Sequence, residues 1–273
     1  MARGISLHIG VNVVDHNHYV DLSDLDFCEA DAEVMQKIAE AQNFETQVLL
    51  GKAATRDNVA EAIESAAEQL DKGDIFLLTY AGHGCYIPDL NKDERKVKGR
   101  MLDRRDETWC LYDAQQVDDE RGMLWSRFAD GVRICVLSDS CHSGTTARGA
   151  GDDKPPPTPR FKKRAASRSA AEKTYEAHKA FYDSLQCDAP TKIGADLMLI
   201  SGCQDEEEAG EDADLGHGLF TYALNEFWSK GEFDGTYKDL WKAIKGQMPG
   251  DQTPNMGPKN PPPKFAKQRP FTI

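Results

Sequence analysis

Two apolar runs that stop abruptly on polar, reactive side chains constrain this chain more than any other feature. Ile75–Gly84 reads IFLLTYAGHG and Val132–Gly144 reads VRICVLSDSCHSG. Short apolar runs of this kind, closed by small residues, predict strands buried on both faces, as in a parallel sheet. The first ends on His83 and the second on Cys141. Ligands of open α/β sheets bind just beyond the carboxyl ends of the strands. If the two strands are neighbours, an imidazole and a thiol share one mouth, the minimum equipment for nucleophilic attack on a carbonyl.

The rest of the chain supplies the rhythm such a sheet needs. Ile5–Val13 alternates like a strand, and Cys28–Gln42 has helical spacing with Val34, Ile38 and Ala41 on one face. Phe44–Leu50 reads as a second strand. Thr55 is a fitting N-cap for a helix whose Val59, Ile63, Ala66 and Leu70 share a face. The His83 strand follows, completing β-α-β-α-β, the pattern of a parallel sheet covered by helices. Pro88–Glu120 is rich in acid and poor in periodicity, and reads as a long functional loop. Residues 145–192 break the pattern with KPPPTPRFKKRAASRS, typical of a flexible tether, and a helix over Ser169–Leu185. Asp196–Ser201 reads as another buried strand. Gly218–Trp228 and Tyr237–Met248 read as amphipathic helices, and Pro270–Ile273 as a short edge strand. The expectation is one mostly parallel α/β domain built from two segments. Residues 1–144 carry His83 and Cys141, 193–273 complete the same sheet, and 145–192 are a basic, Pro-rich insertion between them.

Charge narrows the function. The net charge is −13, although 154–179 alone holds eight Lys/Arg against two Glu. So acidic a body argues against nucleic acid and suits cationic ligands, either basic peptides or a divalent metal. No apolar run approaches the roughly 20 residues of a membrane span. The start lacks the pattern of a signal peptide, so a cytoplasmic protein is expected. Seven cysteines without CxxC pairs fit a reducing compartment, and His83-x-Cys85 and Cys141-His142 lack zinc-ligand spacing. Two histidines compete with His83. His142 neighbours Cys141 on an extended chain and so points the other way; His217 precedes a helix rather than ending a cleft strand.

Taken together, the motifs resemble the caspase–metacaspase family of cysteine endopeptidases, metacaspases most of all. They are Tyr80-Ala81-Gly82-His83-Gly84, Asp139-Ser140-Cys141-His142-Ser143-Gly144, Phe27-Cys28-Glu29-Ala30-Asp31-Ala32, Ser201-Gly202-Cys203-Gln204-Asp205, Gly218–Leu224 and Gln252-Thr253-Pro254. The resemblance implies a caspase-like fold, with Cys141 as nucleophile and His83 as general base and acid. It implies an oxyanion hole from the backbone N–H groups of Gly84 and Cys141. It also implies a specificity pocket floored by Asp31 and Asp139 with Cys28 beside them, and Asp205 adds to the negative field. Two carboxylates there suit a guanidinium or ammonium group, so cleavage after Arg or Lys of basic peptides or proteins is expected. Ala81 stands where many metacaspases have Ser. Many metacaspases need calcium, and Asp103, Asp106, Glu107, Asp118 and Asp119 are the candidate ligands. Thr145–Arg148, however, lacks the ligand that the family places after Cys-His-Ser-Gly. An enzyme of this specificity would find its own cutting sites at Arg160, Lys162, Lys163, Arg164 and Arg168. The rival reading is a catalytically inactive caspase-like scaffold for protein interaction, against which the intact His83–Cys141 pair speaks.

Overall fold

The computed structural model describes residues 2–90, 105–140, 161–186, 192–204, 207, 209–250, 252–257 and 263–273. The chain opens with β1 (Gly4–Gly10), α1 (Cys28–Ala41), β2 (Glu45–Leu50), α2 (Arg56–Gln69) and β3 (Ile75–Ala81). It continues through β4 (Gly84–Pro88), β5 (Arg105–Cys110), β6 (Gln115–Val117), α3 (Asp118–Trp125) and β7 (Arg133–Asp139). Next come β8 (Lys162–Lys163), α4 (Arg168–Ala177), α5 (Lys179–Leu185), β9 (Asp196–Ser201), β10 (Gly210–Asp212) and β11 (His217–Gly218). The end of the chain is α6 (Leu219–Trp228), α7 (Tyr237–Gln247), β12 (Asn255–Gly257) and the single turn α8 (Pro263–Ala266).

Six strands form the central sheet in the order β12-β9-β7-β3-β1-β2, all parallel except β12. Both chain segments contribute to it. Every residue of β3 is buried, because helices cover both faces. Alternate side chains of a strand point to opposite faces. Phe76 and Leu78 accordingly pack with the α2 residues Val59, Ile63 and Ala66, whereas Ile75 and Leu77 pack with Phe220 and Leu224 of α6 and Leu240 and Ile244 of α7. The Thr55 hydroxyl accepts from the Asn58 N–H (3.2 Å), the expected N-cap of α2.

Three stretches differ from the expectation. The acidic region after Pro88 is no structureless loop where it is described: β4, β5 and β6 form an antiparallel sheet and α3 follows. Asp106, Thr108, Gln115 and Gln116 are all buried there, so no apolar alternation marks the strands. Residues 161–186 are docked rather than free. The Ser167 hydroxyl caps α4 (3.1 Å from the Ala170 nitrogen), and Tyr175 and Tyr182 pack against Ile87 and Val117. The sheet edge is β12 and not Pro270–Ile273, where Phe271 instead fills the core beside Trp228 and Tyr237.

Candidate active site

The parallel register of β3 and β7 runs from Ile75 opposite Arg133 to Ala81 opposite Asp139. His83 and Cys141 therefore each stand two residues beyond the last paired position of adjacent strands. Cys141 itself lies outside the described residues, as do Asp103 and Asp205. Ser140, just before Cys141, is pinned: its hydroxyl bonds that of Ser138 (2.8 Å) and its carbonyl accepts from the Cys203 thiol (3.5 Å).

His83 is 2% exposed. Its loop is fixed from behind, since the His83 carbonyl accepts from the Tyr80 hydroxyl (2.8 Å) and the Cys110 N–H (2.9 Å). Gly82 is required there, because a Cβ would lie 2.4 Å from the Tyr80 oxygen. The ring Nε2 sits 2.7 Å from the Ser23 carbonyl, which can only accept, so Nε2 carries the proton. Nδ1 is left with its lone pair and has no hydrogen-bond partner among the described residues. Burial, with Arg164 and Lys162 nearby, lowers the ring's pKa to about 4 despite the Ser23 bond. The imidazole is a neutral base with one unused nitrogen.

The pocket beside it is built from three carboxylates. Asp31 lies in the first turn of α1, whose start is anchored by the Asn12 side chain accepting from the N–H groups of Cys28 (2.8 Å) and Glu29 (3.2 Å). Asp139 ends β7, and Glu211 lies on β10. Each is held by donors of its own. Asp31 bonds the His217 Nδ1 (2.8 Å) and the Gly218 N–H (3.0 Å). Asp139 accepts from the Thr221 hydroxyl (2.7 Å) and N–H (3.0 Å). Glu211 accepts from the N–H groups of Asp26 (2.9 Å) and Phe27 (3.3 Å). Burial pushes the Asp139 carboxyl up against the pull of Arg164.

The guanidinium of Arg164 fills this pocket. Its side chain is 0% exposed, with Nη2 2.6 Å from Asp31 and 3.2 Å from Glu211, and Nη1 3.1 Å from Asp139. A cavity of about 10 Å³, lined by Asp31, Asp139, Thr79, Phe220 and others, adjoins the two aspartates. Burial alone would lower the arginine's pKa, but the acids around it hold it well above the ordinary value. A Cβ on Gly218 would come within 2.3 Å of both Arg164 Nη1 and Asp139 Oδ2, so only glycine admits the pair. Cys28 is buried next to the pocket with Leu25 and Ala81, and burial raises its thiol's pKa far above normal.

Sequence reasoning placed Asp31 and Asp139 together, as the structure does. It passed over Glu211, and it set His217 aside although that ring orients Asp31. The glycines flanking His217 were the available signal for such a close approach. Of the described calcium candidates, Asp106 is buried on β5, Glu107 follows it, and Asp118 and Asp119 open α3. Among the described residues no group of three or more His, Cys, Asp or Glu side chains converges on a metal-sized point. Burial raises the Asp118 pKa, with the Arg121 guanidinium pulling the other way and Glu107 adding to the rise.

A caspase-domain family model matches residues 11–270. Metacaspase-2 of Trypanosoma brucei brucei is 24% identical over 168 residues, which are 58% of this chain and 40% of that protein. Metacaspase-1A of Aspergillus fumigatus is 33% identical over 96 residues, 33% of this chain and 22% of that protein. The chain thus aligns with two fifths or less of the length of these curated relatives. A crystal structure of a Geobacter sulfurreducens protein is 43% identical, covers 99% of both chains and superposes with a TM-score of 0.85. No helix among the described residues is long and apolar enough to cross a membrane.

Proposed function

The chain belongs to the caspase-domain family of cysteine peptidases, and from that premise we propose that it is an endopeptidase cleaving after Arg, and after Lys, in basic peptides and proteins. The observation that carries this reading is the acid pocket. Three carboxylates, each oriented by donors other than Arg164, enclose a fully buried guanidinium. A buried cation needs such partners, and a buried carboxylate cluster needs a cation. A side chain ending in carboxylate would meet repulsion there.

In the proposed reaction, the Cys141 thiol gives its proton to Nδ1 of His83. The thiolate attacks the carbonyl carbon of the residue whose side chain fills the pocket. Charge on the carbonyl oxygen is met by the N–H groups of Gly84 and Cys141. As the C–N bond breaks, His83 protonates the leaving nitrogen, leaving a thioester. Water, activated by the same imidazole, then releases the acid and restores the thiol. The Ser23 carbonyl keeps the proton of the neutral ring on Nε2 and so presents Nδ1 as the base.

The scaffold reading predicts no turnover. Nδ1, without a partner among the described residues, favours the enzyme, since a buried nitrogen left unpaired is costly unless it is used. The test is hydrolysis of fluorogenic peptides ending in Arg, Lys or Asp, with and without calcium. Turnover after Arg and Lys but not Asp, abolished in Cys141→Ala, is the expected result. Preference for Asp, or unchanged activity in Cys141→Ala, overturns the proposal. Dependence on added calcium would place a metal site outside the described residues.

A further inference from the structure

A cavity of about 450 Å³ lies between the β4–β5 hairpin and α4. That volume falls within the roughly 300–1,000 Å³ usual for small-molecule sites. Its hairpin wall is Tyr86, Pro88 and Arg105. In the antiparallel register Tyr86 is opposite Glu107 and Pro88 is opposite Arg105. Residues two apart on a strand share a face with their cross-strand partners, which brings these three side chains together. The helix wall is Ala171 and Tyr175, one turn apart on α4, with Glu172 and Glu176 beside them. Arg105 and Pro88 mark the end of the hairpin away from Gly84, which pairs with Trp109 next to His83.

The hairpin wall holds two donors that nothing described here satisfies. The Arg105 guanidinium lies over the Tyr86 ring, 4.0 Å from its centroid. Stacking of this kind fixes the plane of the guanidinium and the direction of its donors. Arg105 Nη1 is buried and has no hydrogen-bond partner among the described residues, and the same is true of the Tyr86 hydroxyl. Tyr86 as a whole is 6% exposed. Burial pushes its pKa up, with Arg105 pulling the other way and Cys85 and Glu172 adding to the rise. The phenol therefore keeps its proton at neutral pH and is a donor. Buried donors without acceptors are costly and uncommon in folded proteins. The opposite wall does not answer them: Glu172 bonds Arg168 (2.8 Å), and the Tyr175 hydroxyl donates to Asp183 (2.6 Å). Glu176 stands exposed on the helix side.

We propose that this cavity binds a small zwitterion, an amino acid or dipeptide with free ends, whose carboxylate accepts from Arg105 and Tyr86, whose ammonium group faces Glu176 and whose apolar side chain lies between the Tyr86 and Tyr175 rings. A carboxylate brings two acceptor oxygens and the charge that a guanidinium recognises best. A phosphate dianion would set more negative charge against Glu172 and Glu176. An uncharged apolar ligand would leave both donors unpaired, and a simple cation would be repelled by Arg105. The apolar lining with a few fixed polar groups is the usual make-up of a small-ligand site. A ligand touching both walls ties the hairpin to α4 and stabilises the folded chain by mass action. The inference does not depend on the protease reading, since none of His83, Asp31, Asp139 and Glu211 lines the cavity.

Calorimetric titration of the full-length protein with leucylphenylalanine, and with its N-acetyl and carboxyl-amide forms, tests this. The free dipeptide should bind at one site per chain with a dissociation constant of about 0.1 mM or lower, and should raise the melting temperature. Each blocked form should bind at least about tenfold more weakly. Arg105→Met keeps bulk over the Tyr86 ring without the charge, and should weaken the dipeptide by about tenfold or more. Tyr86→Phe removes only the hydroxyl and should cost about threefold to tenfold. Glu176→Gln should weaken the free dipeptide but not its N-acetyl form. Should Arg105→Met fail to fold, Arg105→Lys keeps the charge without the planar donors and should still weaken binding by about fivefold. No binding of the dipeptide to wild type at about 10 mM, equal binding of the blocked forms, or unchanged affinity in the Arg105 variants overturns the inference, and each of these results leaves the protease reading standing.

Discussion

Among the described residues two arginines are buried, and they are buried by opposite means. The Arg121 guanidinium donates to two backbone carbonyls, those of Gln116 (2.7 Å) and Glu107 (3.2 Å), and lies over the Trp109 ring at 4.6 Å, which in turn stacks on Tyr80. Burial lowers its pKa even though Asp118 and Glu107 oppose the fall. Arg164 instead meets three carboxylates drawn from α1, β7 and β10, and its pKa is raised. Arg121 reaches a carbonyl five residues away on its own hairpin. Arg164 reaches acids 133, 25 and 47 residues away. The first is a packing device that braces the His83 loop through Trp109 and Tyr80. The second is a cation entering a charge-reading pocket that other donors have already shaped.

The comparison breaks most visibly at Asp31. Asp31→Asn removes the shortest contact to Arg164 and disturbs His217 and Gly218 as well. Truncating one partner of a buried charge pair costs about 3–5 kcal/mol, so kcat/KM for Arg peptides should fall by roughly 10² to 10³ at unchanged fold. Arg121→Met keeps the contact with Trp109 and loses two hydrogen bonds worth about 1–3 kcal/mol. It should lower the melting temperature and leave the ratio of Arg to Asp cleavage unchanged. If Arg121→Met altered that ratio as much as Asp31→Asn does, the two arginines would not differ in kind.

Glu211→Gln asks whether the third carboxylate reads charge or only shape. Glutamine keeps one oxygen for the Asp26 N–H (2.9 Å), but the second oxygen, shared by the Phe27 N–H (3.3 Å) and Arg164, becomes an amide NH2, so one bond to the loop is lost with the charge. Nη2 of Arg164 is shared by Asp31 and Glu211, a geometry suited to a fork of donors rather than a single ammonium. The expected outcome is about a tenfold loss for Arg peptides and a smaller one for Lys. Equal losses for both would mean that Glu211 supplies only background charge.

Acid should sharpen the contrast further. Burial lowers His8 to about 3 and His18 to about 4. His8 is enclosed by the hydroxyls of Ser6 and Thr79, and His18 faces His178, Asp113, Asp15 and Arg56. Both resist protonation when folded, whereas the unfolded chain takes up protons below about 6.5. Their contribution is complete above 6.5 and is lost as pH falls toward the folded values, at about 1.4 kcal/mol per pH unit per histidine. Thermal melts at pH 7.5 and 5.0 should show a lower midpoint at pH 5.0. His18→Phe should reduce the drop, because the stack on His178 that holds α4 no longer titrates. Arg121, bonded to carbonyls, should not add to it.

What the sequence disclosed follows the same division. Strands buried on both faces announce themselves by unbroken apolar runs, and β3, β7 and β9 were legible for that reason. So were α2 and α6, whose apolar stripes recur at helical spacing. Asp31 and Asp139 were legible through motif. β5 and β6 were not, because polar residues are buried along them, among them Thr108 and Gln115, which share a 2.6 Å bond. The role of Arg164 was equally hidden. A basic residue in a Pro-rich stretch looks like solvated tether, and only the fold shows that its partners lie on three distant elements.

The smallest effect is expected two residues before Arg164. Lys162, on the same docked segment as Arg164, pairs with Asp26 at 2.7 Å, but the two side chains are 39% and 59% exposed. Such pairs contribute about 0–1 kcal/mol because water screens them and ordering two long side chains costs entropy. Lys162→Ala should therefore destabilise the fold by no more than about 1 kcal/mol in thermal melts, and 0.5 M salt should reproduce most of that loss. The Arg164 pair, 0% exposed, should hold under the same salt. If salt released both equally, the acid pocket would be open to water and its preference for a guanidinium would owe nothing to burial.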